Sequence, residues 1–162
     1  MSLRPNSELV TEAWLRGVPS LVDTTGCGIS TKVPSDPINW GAAVGRVYRF
    51  IKVGPVVGGG LAEVPLRQPV VTLTLQAARP GSSQPPYGAV EELAELILAD
   101  TWTDQNGRID AGHRDVSQYL PSGYNPAAVR VVSAMNEPRR QPGDAGSYAK
   151  YTMDVQVFWV AT

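Results

Sequence analysis

Apolar residues recur along this chain with two different periods, and the change of period marks the elements. Val71, Leu73, Leu75 and Ala77 alternate with Thr72, Thr74 and Gln76, which predicts a strand over Val70–Ala78. One face of that strand is apolar and the other polar, so the sheet it belongs to is expected to be covered on one side only. Earlier, Leu9, Val10, Ala13 and Trp14 recur at helical spacing, with Asn6 or Ser7 able to cap the first turn and Gly17 and Pro19 closing the segment. This predicts a short helix over residues 7–16. After the break "RPGSSQPPYG", Ala89, Leu93, Leu96 and Ile97 line one side of a second helix, Ala89–Leu98, and Glu91, Glu92 and Glu95 line the other. That helix is the expected cover for the apolar sheet face.

Further strands are predicted over Val44–Val53, Ala128–Met135 and Tyr148–Val160, with a short edge strand over Ile29–Val33. In the last long strand Tyr151, Met153, Val155, Val157 and Trp159 share one face. Val44–Val53 keeps no single parity, but its β-branched and aromatic content favours a strand. "GPVVGGGLAEVPLRQP" has four glycines and three prolines in sixteen residues, so a loop or hairpin tip is expected over 54–68. Residues 101–126 read as a long polar loop and 137–147 as an open hairpin loop. The sum is an α+β fold: an antiparallel four- to five-stranded sheet with two helices packed on one face. Neither an internal repeat nor a linker divides the chain, so a single domain over 1–162 is expected.

Composition narrows the classes of function. Charged residues are 18%, below the roughly 25% of an average soluble protein, and 16 glycines and 14 prolines point to many turns. The net charge is -1 without a Lys/Arg run, which argues against sequence-specific nucleic-acid binding and against an anionic membrane surface. The opening "MSLRPNSELV" lacks the apolar stretch of a signal peptide, and no apolar run reaches the roughly 20 residues of a membrane span. A soluble protein made in the cytoplasm is the expectation. Cys27 is the only cysteine, so an internal disulfide and a multi-thiolate zinc site are excluded.

Candidate chemistry falls away on inspection of its context. "VVGGGLAE" offers Gly58 and Gly60 to a dinucleotide fingerprint, but Glu63 stands at the third glycine and Pro65 and a strand follow where a helix is required. Asp104, Asn106, Gly107, Ile109 and Asp110 have calcium-loop spacing, yet Trp102 and His113 occupy the first and twelfth positions, which leaves too few oxygen ligands. His113, the only histidine, has Asp110, Asp115 and Ser117 nearby, without the strained nucleophile turn of a hydrolase. No cofactor or metal is implied. Trp14 and Trp159 are expected in the core, whereas Trp40 and Trp102 lie in loops where aromatic residues can anchor partners.

Taken together, "SELVTEAWLRGVPSL", "RVYRFIKVGP", "VPLRQPVVTLTLQAA", "PPYGAVEELAELI" and "YTMDVQVFWVAT" resemble the tail-terminator proteins of long-tailed bacteriophages, in the version found in phages of actinobacteria. The resemblance implies a structural virion protein rather than an enzyme. Such a subunit forms a hexameric ring at the head-proximal end of the tail, caps the tail tube, ends its polymerisation and offers a surface for the head connector. DNA would pass the lumen without being read, and assembly would take place in the host cytoplasm. A head-tail connector of the same virion is the alternative, and a small enzyme using His113 the more distant one. Contacts are expected on the 54–68, 101–126 and 137–147 loops, with Trp40, Leu61, Arg67, Trp102, Tyr119, Tyr124, Arg139 and Arg140 as candidate contact residues.

Overall fold

The structure, a computed structural model, describes residues 3–61, 66–101, 113–141 and 148–161. Helix α1 spans Ser7–Arg16, and Asn6 caps it: its Oδ1 accepts from the Leu9 amide at 2.8 Å, satisfying one of the open donors of the first turn. A four-residue helix α2 (Val22–Thr25) leads to β1 (Gly28–Ser30), and a 3-10 turn over Pro37–Asn39 precedes β2 (Tyr48–Leu61). Strand β3 (Leu66–Ala78) and helix α3 (Tyr87–Thr101) follow. The chain ends with β4 (Arg114–Asp115), a 3-10 turn over Ser117–Tyr119, β5 (Ala127–Ala134), β6 (Arg139–Arg140) and β7 (Tyr148–Ala161).

These strands form one sheet in the order β1-β2-β3-β7-β5-β4, and β6 also pairs with β7. Strand β1 runs parallel to β2, while every other pair is antiparallel. The α+β class therefore stands, but among the described residues the sheet is a mixed one of seven strands instead of an antiparallel one of four to five. The edge strand expected over Ile29–Val33 is β1, and the added strands are β4 and β6, two residues each and too short to show a period in the sequence. The final strand sits in the middle of the sheet, between β3 and β5, where it gains ladder bonds on both edges.

Register brings the apolar rows together. Leu73 stands between Val53 and Met153, and Leu75 between Ile51 and Tyr151, so the apolar parity of β3 falls on the same face in its neighbours. Trp14 and Leu15 of α1 and Leu93 and Ile97 of α3 complete one core with that face, each 0% exposed. Fully burying side chains of this size contributes about 1.5–3 kcal/mol apiece, and both helices lie on this one side. The opposite face carries Lys52, Thr74, Gln76 and Lys150. Near the start of β2 it is locally apolar: Trp40 packs on Phe50, ring centroids 6.0 Å apart, and on Tyr148 at 6.3 Å. This second cluster explains why Val44–Val53 keeps no single parity, since Tyr48 and Phe50 face it while Ile51 and Val53 face the main core.

Candidate interaction surfaces

The glycine- and proline-rich segment over 54–68, expected as a loop or a hairpin tip, is the paired arms of a β-hairpin for most of its described length. A register shift between Val53 and Val56 takes up Gly54 and Pro55 and a second, between Val56 and Gly58, takes up Val57, after which Gly58–Leu61 pair with Arg67–Val70. Gly59 is required here. Its φ is +84°, and an added Cβ would meet the Gln68 carbonyl oxygen at 2.2 Å. Strand β1 pairs β2 only at Phe50–Lys52, so among the described residues the outer edge of β2 beyond Lys52 has no strand on it. Val56 and Val57 on this hairpin are 43% and 56% exposed. An uncharged strand edge with exposed apolar side chains is a template for pairing with another chain.

A second surface is a groove of about 600 Å³ where α3 passes the turn between β5 and β6. Its apolar lining includes Ala94, Leu98, Met135 and Pro138, and Met135 is 51% exposed. Glu91, Glu95 and Glu137 stand around it. The Tyr151 hydroxyl donates to Glu91 at 3.0 Å; its pKa is raised by partial burial first and then by that carboxylate. The β5–β6 turn is built by Asn136. Its Oδ1 accepts from the Asp154 amide at 3.0 Å and its Nδ2 donates to the Asp154 carboxylate at 2.7 Å, which Thr72 also meets at 2.7 Å. The Asn136 side chain thus bonds to β7 where the segment between β5 and β6 leaves the ladder.

A third surface is a basic turn. Gly45 and Arg46 have φ of 61° and 64°, and reciprocal backbone bonds of 3.1 Å join Val44 and Val47 across them, the geometry of a two-residue hairpin turn. Arg49, 8% exposed, holds the turn from beneath by donating to the Val44 carbonyl at 3.3 Å, with Glu92 3.6 Å from its other terminal nitrogen. Arg46 and Arg79 are exposed and line one concavity of about 430 Å³.

The candidate contact residues are distributed unevenly over these surfaces. Trp40 is 4% exposed and donates its indole N–H to the Pro34 carbonyl at 2.8 Å, so its ring belongs to the second apolar cluster and is not presented to a partner. Leu61 ends β2, opposite Arg67. Arg67 is half-buried, its guanidinium 5.4 Å from the Trp159 ring centre. Arg139 is exposed on β6, 3.9 Å from Asp154, and Arg140 lies 5.1 Å over Tyr87. Tyr119, 37% exposed, sits on the turn after β4, and Tyr124 is half-buried in a parallel bridge to Leu3. Trp102 lies outside the described residues, as does most of the 101–126 segment on its early side; its later part holds β4 and a 3-10 turn. The 137–147 segment contains β6, with 142–147 outside the described residues.

Sequence reasoning missed the basic turn and the acidic groove. The one available signal was "VGRV", a Gly-containing pair between valines, which was absorbed into a predicted strand. The groove has no local signal, because it joins α3 to residues some forty positions later. His113 is exposed, and Asp115 is engaged with Ser117, whose hydroxyl and amide donate to it at 2.6 and 2.9 Å and hold its pKa below the usual carboxylate value. Among the described residues, no group of three or more His, Cys, Asp or Glu is placed to hold a metal ion, and no helix is long and apolar enough to cross a membrane. No protein-family model matches this chain, and a search of curated proteins finds no match.

Proposed function

We propose that this protein is a structural assembly subunit, a tail terminator that forms a hexameric ring, caps the tail tube of a long-tailed phage and joins it to the head connector. The observation that carries the assembly reading is the β2–β3 hairpin, whose β2 edge beyond Lys52 has no strand on it among the described residues and exposes Val56 and Val57. Exposed apolar strand edges are normally blunted by charge or cover, and leaving one bare suits a chain whose edge becomes buried in a larger object. The identity of that object rests on the resemblance of five segments of the chain to tail terminators.

Chemistry plays no part in this reading. The surfaces that stand out are edges and shallow grooves, and His113 and Asp115 lie on the exterior with Asp115 committed to Ser117. A connector on the head side of the same joint would use similar surfaces. Native mass spectrometry with and without purified tube protein tests the reading: hexamers, formed alone or on the tube, are expected. A strict monomer that leaves tube growth unchanged contradicts it.

A further inference from the structure

The acidic groove and the basic turn lie toward opposite edges of the sheet, with α3 between them: Arg49, which holds the turn, reaches Glu92 of that helix, and Glu91 and Glu95 line the groove. The turn leads into β2 and the groove borders β5 and β6, and β3 and β7 run between them. The turn is held at the β2 end by its two cross-bonds and by Arg49. The Val44–Arg46 turn therefore cannot fold across into the groove of its own chain.

The two surfaces are opposite in charge, and each carries exposed apolar residues. The turn projects an apolar residue, Val44 at 40% exposure, beside the exposed Arg46, with Arg79 next to it. The groove offers an apolar floor of Leu98, Met135 and Pro138 under three exposed carboxylates, Glu91, Glu95 and Glu137. Among the described residues, Arg140 lies over Tyr87 and Arg139 is 3.9 Å from Asp154. The turn is also preorganised. Its two cross-bonds and Arg49 fix it, and Arg46 holds a left-handed φ at a position where Gly or Asn is the usual occupant. A pre-set loop loses little freedom on docking.

We propose that the occupant of the groove is a second copy of this chain, with the Val44–Arg46 turn of one copy seated between α3 and the β5–β6 turn of the next. Because turn and groove differ, the contact is heterologous: each copy gives its turn on one side and receives one on the other, which closes into a ring when the rotation per subunit allows. This inference deepens the ring reading and rests on it. Opposite charges meeting across the joint also steer the copies into register and disfavour turn-to-turn or groove-to-groove encounters.

The test is a cross-link in the full chain. With Cys27→Ser as background, Arg46→Cys and Glu137→Cys are placed in one chain, which is oxidised in the presence of tube protein and run on a denaturing gel. A ladder reaching six chains is expected. A single-chain band, a ladder stopping at two, or links to the tube protein in place of a second copy overturns the proposal. Arg46→Gly serves as the folding control, since glycine suits the left-handed position: its melting temperature should be unchanged or higher while ring formation weakens at least tenfold. Unaltered ring formation by Arg46→Gly also overturns the proposal. If wild-type rings form on the tube but no ladder appears, this contact is wrong and the ring reading stands; if wild type forms no ring at all, both fall.

Discussion

Arg114 lies over the indole of Trp14, 5.0 Å from the ring centre, and donates to the Trp14 carbonyl at 2.9 Å. The same guanidinium pairs with Asp100 near the end of α3, so one side chain from the two-residue strand β4 ties together the two helices that cover the sheet. Both partners are largely but not fully buried, with side chains 17% and 22% exposed. Arg114→Ala should therefore cost about 1–3 kcal/mol, since it leaves a carbonyl and a carboxylate short of their donor while water can still reach the site. Arg114→Lys should recover less than half of that loss, because an ammonium cannot stack and bridge at once. Urea denaturation of the three proteins measures both values.

Cys27 should be unreactive in the native state. It is 5% exposed, and burial, the largest cause, pushes its thiol pKa up from the ordinary 9.0 against smaller opposing effects led by the Thr25 hydroxyl. A raised folded-state value means stability that is complete below the unfolded pKa and lost as pH climbs through the folded one. Stability should thus fall from the ordinary thiol value upward, and Cys27→Ala should flatten that alkaline decline. Thermal melts across the alkaline range test the slope, and slow labelling by a thiol reagent until denaturant is added tests the burial.

The exposed edge of β2 separates folding from assembly. Val56→Thr with Val57→Thr removes apolar surface that the monomer does not bury, so monomer stability should change by no more than about 0.5 kcal/mol. Ring formation or docking on the tube should weaken measurably in the same protein. Equal assembly by the double variant in analytical ultracentrifugation would remove the hairpin edge from the set of contacts.

Asp154, on the central strand β7, ties β3 to the segment between β5 and β6. Its carboxylate joins Thr72 on β3 to Asn136 in the β5–β6 turn, both at 2.7 Å. Asp154→Ala should destabilise the fold by about 1–3 kcal/mol, and amide exchange should quicken around residues 135–140 before it does in β3. Uniform quickening would mean that the network has no local role.

Legibility in the sequence followed how local each interaction is. The bounds of α1 and the Asn6 cap were readable because a cap and an apolar stripe lie within ten residues of each other, and β3 and β7 were readable because one face of each meets the core and the other does not. Val44–Val53 misled for a physical reason: a tight turn at Gly45–Arg46 resets the parity, and Trp40 buries the face that should have been polar. A hairpin tip was readable over 54–68, but not that the ladder runs on to Leu61: glycine and proline signal a break, whereas a strand at a sheet edge needs ladder bonds on one side only and tolerates both at bulges. Trp40, outside any helix or strand, reads from the sequence either as a partner anchor or as locally packed; the structure shows the packed state, with Phe50 and Tyr148 contributed by two distant strands. The groove and the turn, which carry the proposed contact, depend on strand order, and no period in the sequence encodes that order.

Tail length is the most direct measure of the central claim. Particles assembled with and without this protein can be compared by electron microscopy, scoring tail length and attachment to heads. A terminator predicts overlong tails of variable length in its absence, unattached to heads, and restoration of a single length when the protein is supplied. Tails of normal length joined to heads would contradict the account, and normal tails that never join heads would assign the protein to the connector instead.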